Sequence, residues 1–120
     1  NISKVKVGVW VTSGNLTVNM GEIKDVQTGI TMLGSGTLVV NSGAKITVKN
    51  GGTGLSVGGT ATANLTDVRI AGGGNGKGVW MEGKTLTMER GEIKNVEKAV
   101  LMKQGTVTLT GVQISDVAMG

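Results

Sequence analysis

One stretch constrains this chain more than any other. Gly78–Lys98 reads GVWMEGKTLTMERGEIKNVEK, and Gly8–Thr28 reads GVWVTSGNLTVNMGEIKDVQT, with ten of 21 positions identical at an offset of 70 residues. Self-similarity at a fixed spacing marks a repeat architecture, in which no unit buries its apolar face alone. A finer register lies inside that offset. Segments that open on a small residue followed by apolar-x-apolar begin at Gly8, Gly29, Gly54, Gly78 and Ala99, and Gly120 would open another. Their lengths are 21, 25, 24, 21 and 21 residues, so 70 residues is three units.

Each unit holds three short alternating runs. The first is Val9-x-Val11, Ile30-x-Met32, Leu55-x-Val57, Val79-x-Met81 and Val100-x-Met102. The second reads Leu16-x-Val18, Leu38-x-Val40, Ala61-x-Ala63, Leu86-x-Met88 and Val107-x-Leu109. A third centres on Ile23, Ile46, Val68, Ile93 and Ile114, and Leu65 competes with Val68 for the place in the third unit. Period-two alternation means strands with one buried face. Runs this short do not make a stable hairpin sheet, but they can stack on the same run of the next unit. Three strands per unit, joined by glycine corners, close a triangular tube. The predicted fold is all-β: a right-handed parallel β-helix of about five coils of 21–25 residues, neighbouring coils being ~4.8 Å apart. Backbone partners are then shared between neighbours, so stability is cooperative along the stack.

The same register predicts outward columns. Thr17, Val39, Thr62, Thr87 and Thr108 share one; Glu22, Lys45, Asp67, Glu92 and Gln113 share a second; Lys24, Thr47, Arg69, Lys94 and Ser115 share a third. Solvated strand faces explain all three. At the start of the chain, Ile2-Ser3-Lys4-Val5 repeats an Ile-x-x-Val of the third run. Residues 1–7 therefore read as a partial coil, and residues 1–120 as one β-helix segment cut from a longer solenoid. Its raw sheet edges are expected to stack end to end.

Composition narrows the chemistry. Neither Cys nor His occurs, which excludes disulfides, thiolate zinc sites and the commonest general base. Aromatic residues make up 2% of the chain, so the core must be aliphatic. A net charge of +4 spread over ten Lys and two Arg reads as a solubility bias, not a nucleic-acid surface. No run of 18 apolar residues is present to span a membrane as a helix, and no signal-peptide pattern is visible. Twenty-two glycines fall at regular places between alternating runs, which means turns.

Two candidate surfaces follow. Trp10 and Trp80 occupy the outward position of the first run, about 14 Å apart by strand spacing. Thr31 and Ser56 fill the gap, making a shallow groove with a ring at each end that suits a sugar or a protein partner. The plainer reading packs each Trp over neighbouring turn backbone. The second surface is a corner ridge. Lys49–Thr53 and Ala71–Lys77 lengthen one corner in two successive coils, with Asn50, Thr53, Asn75 and Lys77 as candidate contacts. Tolerated length drift at an exposed turn is the plainer reading of them. The Gly72–Gly76 run resembles a phosphate loop only superficially, since no helical pattern follows it.

No catalytic, cofactor or metal set emerges. Glycoside hydrolysis needs two carboxyls about 5–9.5 Å apart, whereas Glu22 and Glu92 sit three coils apart. Asp25, Asn95 and Asp116 precede Val at corners, where short polar side chains satisfy turn backbone. No Asp-rich loop offers the converging oxygens that calcium requires.

Coils of this length carrying G-V-W-V, N-L-T-V and G-E-I-K-D-V elements resemble the right-handed β-helix repeats of pectin-lyase-like proteins. More closely, the chain is similar to the passenger domains of Gram-negative type V autotransporters. That resemblance implies a secreted or surface-displayed stalk of a Gram-negative bacterium, adhesin-like, tied to the outer membrane only through a C-terminal barrel outside this segment. The partner it implies is a host surface protein or glycan. Lack of Cys fits a passenger that crosses the outer membrane unfolded. Pectate lyases carry calcium-binding Asp clusters and a catalytic Arg, and polygalacturonases several Asp and a His. Neither set has matching positions here. The expectation is therefore a non-enzymatic interaction segment. Alternatives are a carbohydrate-binding or carbohydrate-active β-helix whose catalytic coils lie elsewhere, and a self-associating structural solenoid.

Overall fold

A computed structural model describes residues 2–3, 7–19, 21–41 and 43–119. Lys4 and Val5 of the initial Ile-x-x-Val, and the coil opening at Gly120, lie outside the described residues. The chain is a parallel β-solenoid of about five turns. Its strands are β1 (Ile2–Ser3), β2 (Val7–Val11), β3 (Leu16–Asn19), β4 (Glu22–Met32), β5 (Thr37–Asn41), β6 (Lys45–Val57), β7 (Thr62–Ala71), β8 (Lys77–Met81), β9 (Thr85–Met102), β10 (Thr106–Thr110) and β11 (Gln113–Met119). Every pairing among them is parallel.

The first run stacks as the alternation predicts. Val9, Ile30, Leu55, Val79 and Val100 are successive partners across β2, β4, β6, β8 and β9, and Val11, Met32, Val57, Met81 and Met102 follow suit. Ile30, Leu55, Val79, Met32, Val57 and Met81 are fully buried. The interior is wholly apolar, with no buried polar side chain among the described residues. Such a core needs no internal hydrogen bonds, because the backbone groups are satisfied between coils.

The expected three separate strands per coil are partly fused. β4 carries the third run of one coil and the first run of the next, and β9 continues through a second, third and first run over 18 residues. Left-handed residues mark the corners that join them: Asp25, Asp67, Arg90, Asn95 and Asp116 all have φ between 53° and 63°. At Asn95 the residues on either side, Lys94 and Val96, both stay paired with β11, whereas at Asp25 the ladder to β6 shifts register. The reading of Asp25, Asn95 and Asp116 as corner residues agrees with this geometry.

The third coil corrects the sequence register. Leu38 pairs with Ala63 and Val40 with Leu65, and these pair onward with Leu86 and Met88. Its second run is thus Ala63-x-Leu65, not Ala61-x-Ala63. Ile46 pairs with Ile70 and Ile70 with Ile93, so Ile70 fills the third-run place offered to Val68 or Leu65. The outward columns shift accordingly. Asn64 replaces Thr62 beside Val39 and Thr87, Arg69 replaces Asp67 between Lys45 and Glu92, and Ala71 replaces Arg69 between Thr47 and Lys94. A slip of two residues keeps the same face inward. Alternation through Ala61, Ala63 and Leu65 therefore fixes the face but not the register.

The leading glycines have a packing cause. A Cβ on Gly78 would lie 2.6 Å from the Ala99 carbonyl oxygen and 2.6 Å from Ile93 Cγ2, closer than real Cβ atoms approach. The third-run isoleucine of each coil occupies the volume that a side chain would need. In the fifth coil Ala99 takes the position, beside an Ile114 that is 39% exposed.

Candidate functional site

Solenoid stacking puts the sequence-predicted tryptophan row together. Trp10, Thr31, Ser56, Trp80 and Leu101 are successive register partners on neighbouring parallel strands. All lie on the outer face of the first run, since their neighbours on both sides point inward. The two rings are three strand steps apart, about 14 Å.

The rings differ despite the repeat that generates them. Trp10 is 62% exposed. Trp80 is half-buried, and the ammonium groups of Lys77 and Lys103 lie 5.0 and 5.5 Å from its ring centroid. Cations at that distance are attracted by the negative face of the ring. The Trp80 indole N–H donates to Glu82 Oε1. In the first coil, register places Leu33 where Lys103 stands and Thr12 where Glu82 stands. Leu33 leans over Gly58, whose hypothetical Cβ would meet Leu33 Cδ2 at 2.9 Å.

The gap between the rings is therefore floored by the hydroxyls of Thr31 and Ser56, with Leu33 covering Gly58 at its edge. One end is an open indole; the other is an indole already dressed by two lysines and a carboxylate. An apolar ring can stack on Trp10 while its polar substituents reach the hydroxyls and the Lys–Glu pair.

The corner residues come together as well. Asn75 N–H donates to Asn50 Oδ1 at 3.0 Å, and Gly51 N–H donates to the Asn75 carbonyl at 3.3 Å. Gly74 N–H donates to the Asn95 carbonyl at 2.8 Å, and Asn95 Nδ2 donates back to the Gly72 carbonyl at 3.1 Å. The two lengthened corners are thus laminated onto each other and onto the following coil. A Cβ on Gly73 would meet Asn50 backbone at 2.9 Å, so the glycine is required by that close approach. Thr53 and Lys77 are ladder partners three residues before the tryptophan row along their strands. Lys77 belongs to both candidate surfaces, because its ammonium reaches Trp80.

No family model matches this chain, and no curated protein or solved structure does so either. The resemblance to autotransporter passengers and pectin-lyase-like repeats thus rests on the motifs alone, while the stacked parallel coils stand on the coordinates.

Sequence reasoning missed Glu82 and Lys103 as neighbours of Trp80. The signal was available, since pairing Met81 with Met102 sets Glu82 beside Lys103. It also missed the grouping of the chain's two arginines, because the third-coil register was off by two. Among the described residues no three acidic side chains gather as a metal site would require. Glu22 and Glu92 lie at opposite ends of the column Glu22–Lys45–Arg69–Glu92, three strand steps apart.

Proposed function

We propose that this chain is a non-enzymatic interaction segment of a surface-displayed or secreted solenoid, of the kind found in autotransporter passengers, contacting a host protein or glycan through its first-run face. The observation that carries this reading is the in-register row Trp10–Thr31–Ser56–Trp80, with Trp10 62% exposed. A solenoid presents such rows on flat faces without hairpin loops, which suits a stalk that displays contacts along its length. An exposed tryptophan is a costly residue to leave in water and a favoured anchor at interfaces.

A glycan is the better-supported of the two partners, since hydroxyl-bearing Thr31 and Ser56 lie between ring faces. Carbohydrate-active coils elsewhere in a longer protein form the second reading. Glycan-array binding by the chain, followed by the Trp10→Ala/Trp80→Ala double variant, tests the proposal. Loss of binding in the double variant is the expected result. Unchanged binding removes the tryptophan row from the account.

A further inference from the structure

A second surface lies on a different face and stands independently of the tryptophan row. Where the second run turns into the third, an open groove of about 700 Å³ is walled by Asp67, Arg69, Arg90, Glu92 and Gln113. Gly43, Gly91 and Gly111 also line it. The two arginines of the chain both line it. Arg90 Nη2 lies 3.3 Å from Asp67 Oδ2 across two coils. Arg69 has Lys45 as its register partner on one side and Glu92 on the other. It makes no ion pair among the described residues, and the neighbouring Glu92 lies 3.9 Å from the Lys94 ammonium.

The corner positions show that this arrangement is not the easiest one for the fold. Ladder pairs on either side align Asp67, Arg90 and Gly111 in one column. All three have positive φ: 57°, 55° and 66°. Glycine holds that conformation without steric cost, and a long side chain such as arginine rarely adopts it. Coil five uses glycine there. Coils three and four place an opposed acid and base instead. An exposed ion pair contributes little stability, so the pair does not offset the strain by itself. Backbone strain kept where glycine would serve points to a use for the side chains.

We propose that this groove binds a sugar bearing an oxyanion, its anionic group on Arg69 and Arg90 and its hydroxyls on Asp67, Glu92 and Gln113. A guanidinium fork matches a planar or tetrahedral oxyanion with two parallel hydrogen bonds. Two carboxylates in the same groove repel a bare anion but accept hydrogen bonds from hydroxyls. The glycines of the lining let a ring approach the backbone closely. A nucleic acid is disfavoured by the same carboxylates.

Calorimetric titration of the full chain with a monosulfated disaccharide, its unsulfated parent and sodium sulfate tests the site. The sulfated disaccharide is expected to bind at least tenfold more tightly than either of the others. Arg69→Gln is expected to weaken it at least tenfold. Arg90→Gly is expected to weaken it about fivefold or more while raising the melting temperature, since glycine fits that corner better. The Trp10→Ala/Trp80→Ala variant is expected to bind it unchanged. Equal binding of the parent or of sulfate, or full binding by Arg69→Gln, overturns the proposal. So does loss of binding in the tryptophan variant, which would move the site to the other face.

Discussion

The Lys103 ammonium lies 5.5 Å from the centroid of the Trp80 ring, although the two residues belong to different coils. Only in-register stacking brings them together, because Met81 and Met102 are paired immediately beside them. The contact makes Trp80 a different residue from Trp10, its repeat counterpart.

That asymmetry predicts distinct fluorescence. With Trp10→Phe, the remaining Trp80 should emit toward the blue and resist acrylamide. With Trp80→Phe, the exposed Trp10 should emit near the wavelength of free indole and quench readily. Lys103→Ala should move Trp80 toward the Trp10 behaviour at a cost of about 0.5–1 kcal/mol, the range for an exposed cation–ring contact. Matching spectra from the two single-Trp proteins would contradict the environments described.

Glycine at the head of each coil should be intolerant. Gly78→Ala sets a methyl group against Ile93 Cγ2 and the Ala99 carbonyl. Overpacking of this kind costs about 1–3 kcal/mol, measurable by urea unfolding. The reverse change, Ala99→Gly, should cost less than about 1 kcal/mol, the ordinary entropic penalty of an added glycine. A silent Gly78→Ala would mean that the coils are spaced more loosely than the coordinates place them.

The buried face of the third coil is testable by stability. Leu65→Ala and Ile70→Ala remove fully buried side chains and should each cost about 2–5 kcal/mol. Asn64→Ala and Arg69→Ala lie on the exposed face and should change stability by less than about 0.5 kcal/mol.

Much of this architecture is legible in the sequence because the first run repeats with a strong signal. Val9, Ile30, Leu55, Val79 and Val100 each follow a small residue and precede a second apolar position, and they form one interior row as expected. The tryptophan row follows from that register without further information. The third coil is less legible because Ala61, Ala63 and Leu65 continue the alternation past the true start, while Val68 and Ile70 resume it in the opposite phase. The left-handed corner at Asp67 causes that change of phase, and no local pattern announces it. The groove between Arg69 and Arg90 was hidden for the same reason.

Stability should vary along the stack. Central strands pair on both sides, whereas Met102, Leu109 and Ile114 of the fifth coil are 51%, 37% and 39% exposed. Amide exchange should be slowest at Leu55 and Val79 and faster by tenfold or more in Thr106–Thr110, as expected for quasi-one-dimensional folds that open from their ends. Uniform protection would argue against coil-by-coil opening.

In-register parallel stacking is tested most directly by cross-linking, since the chain has no native cysteine. Val39 faces Asn64 on the neighbouring strand, and Thr62 pairs instead with Thr37. Adjacent strands lie within the Cα separation that a disulfide spans. Val39→Cys with Asn64→Cys should oxidise to an intramolecular disulfide in the folded protein, and Val39→Cys with Thr62→Cys should remain reduced under the same conditions. The opposite pattern, or no disulfide in either, would contradict the stacked coils in the register described.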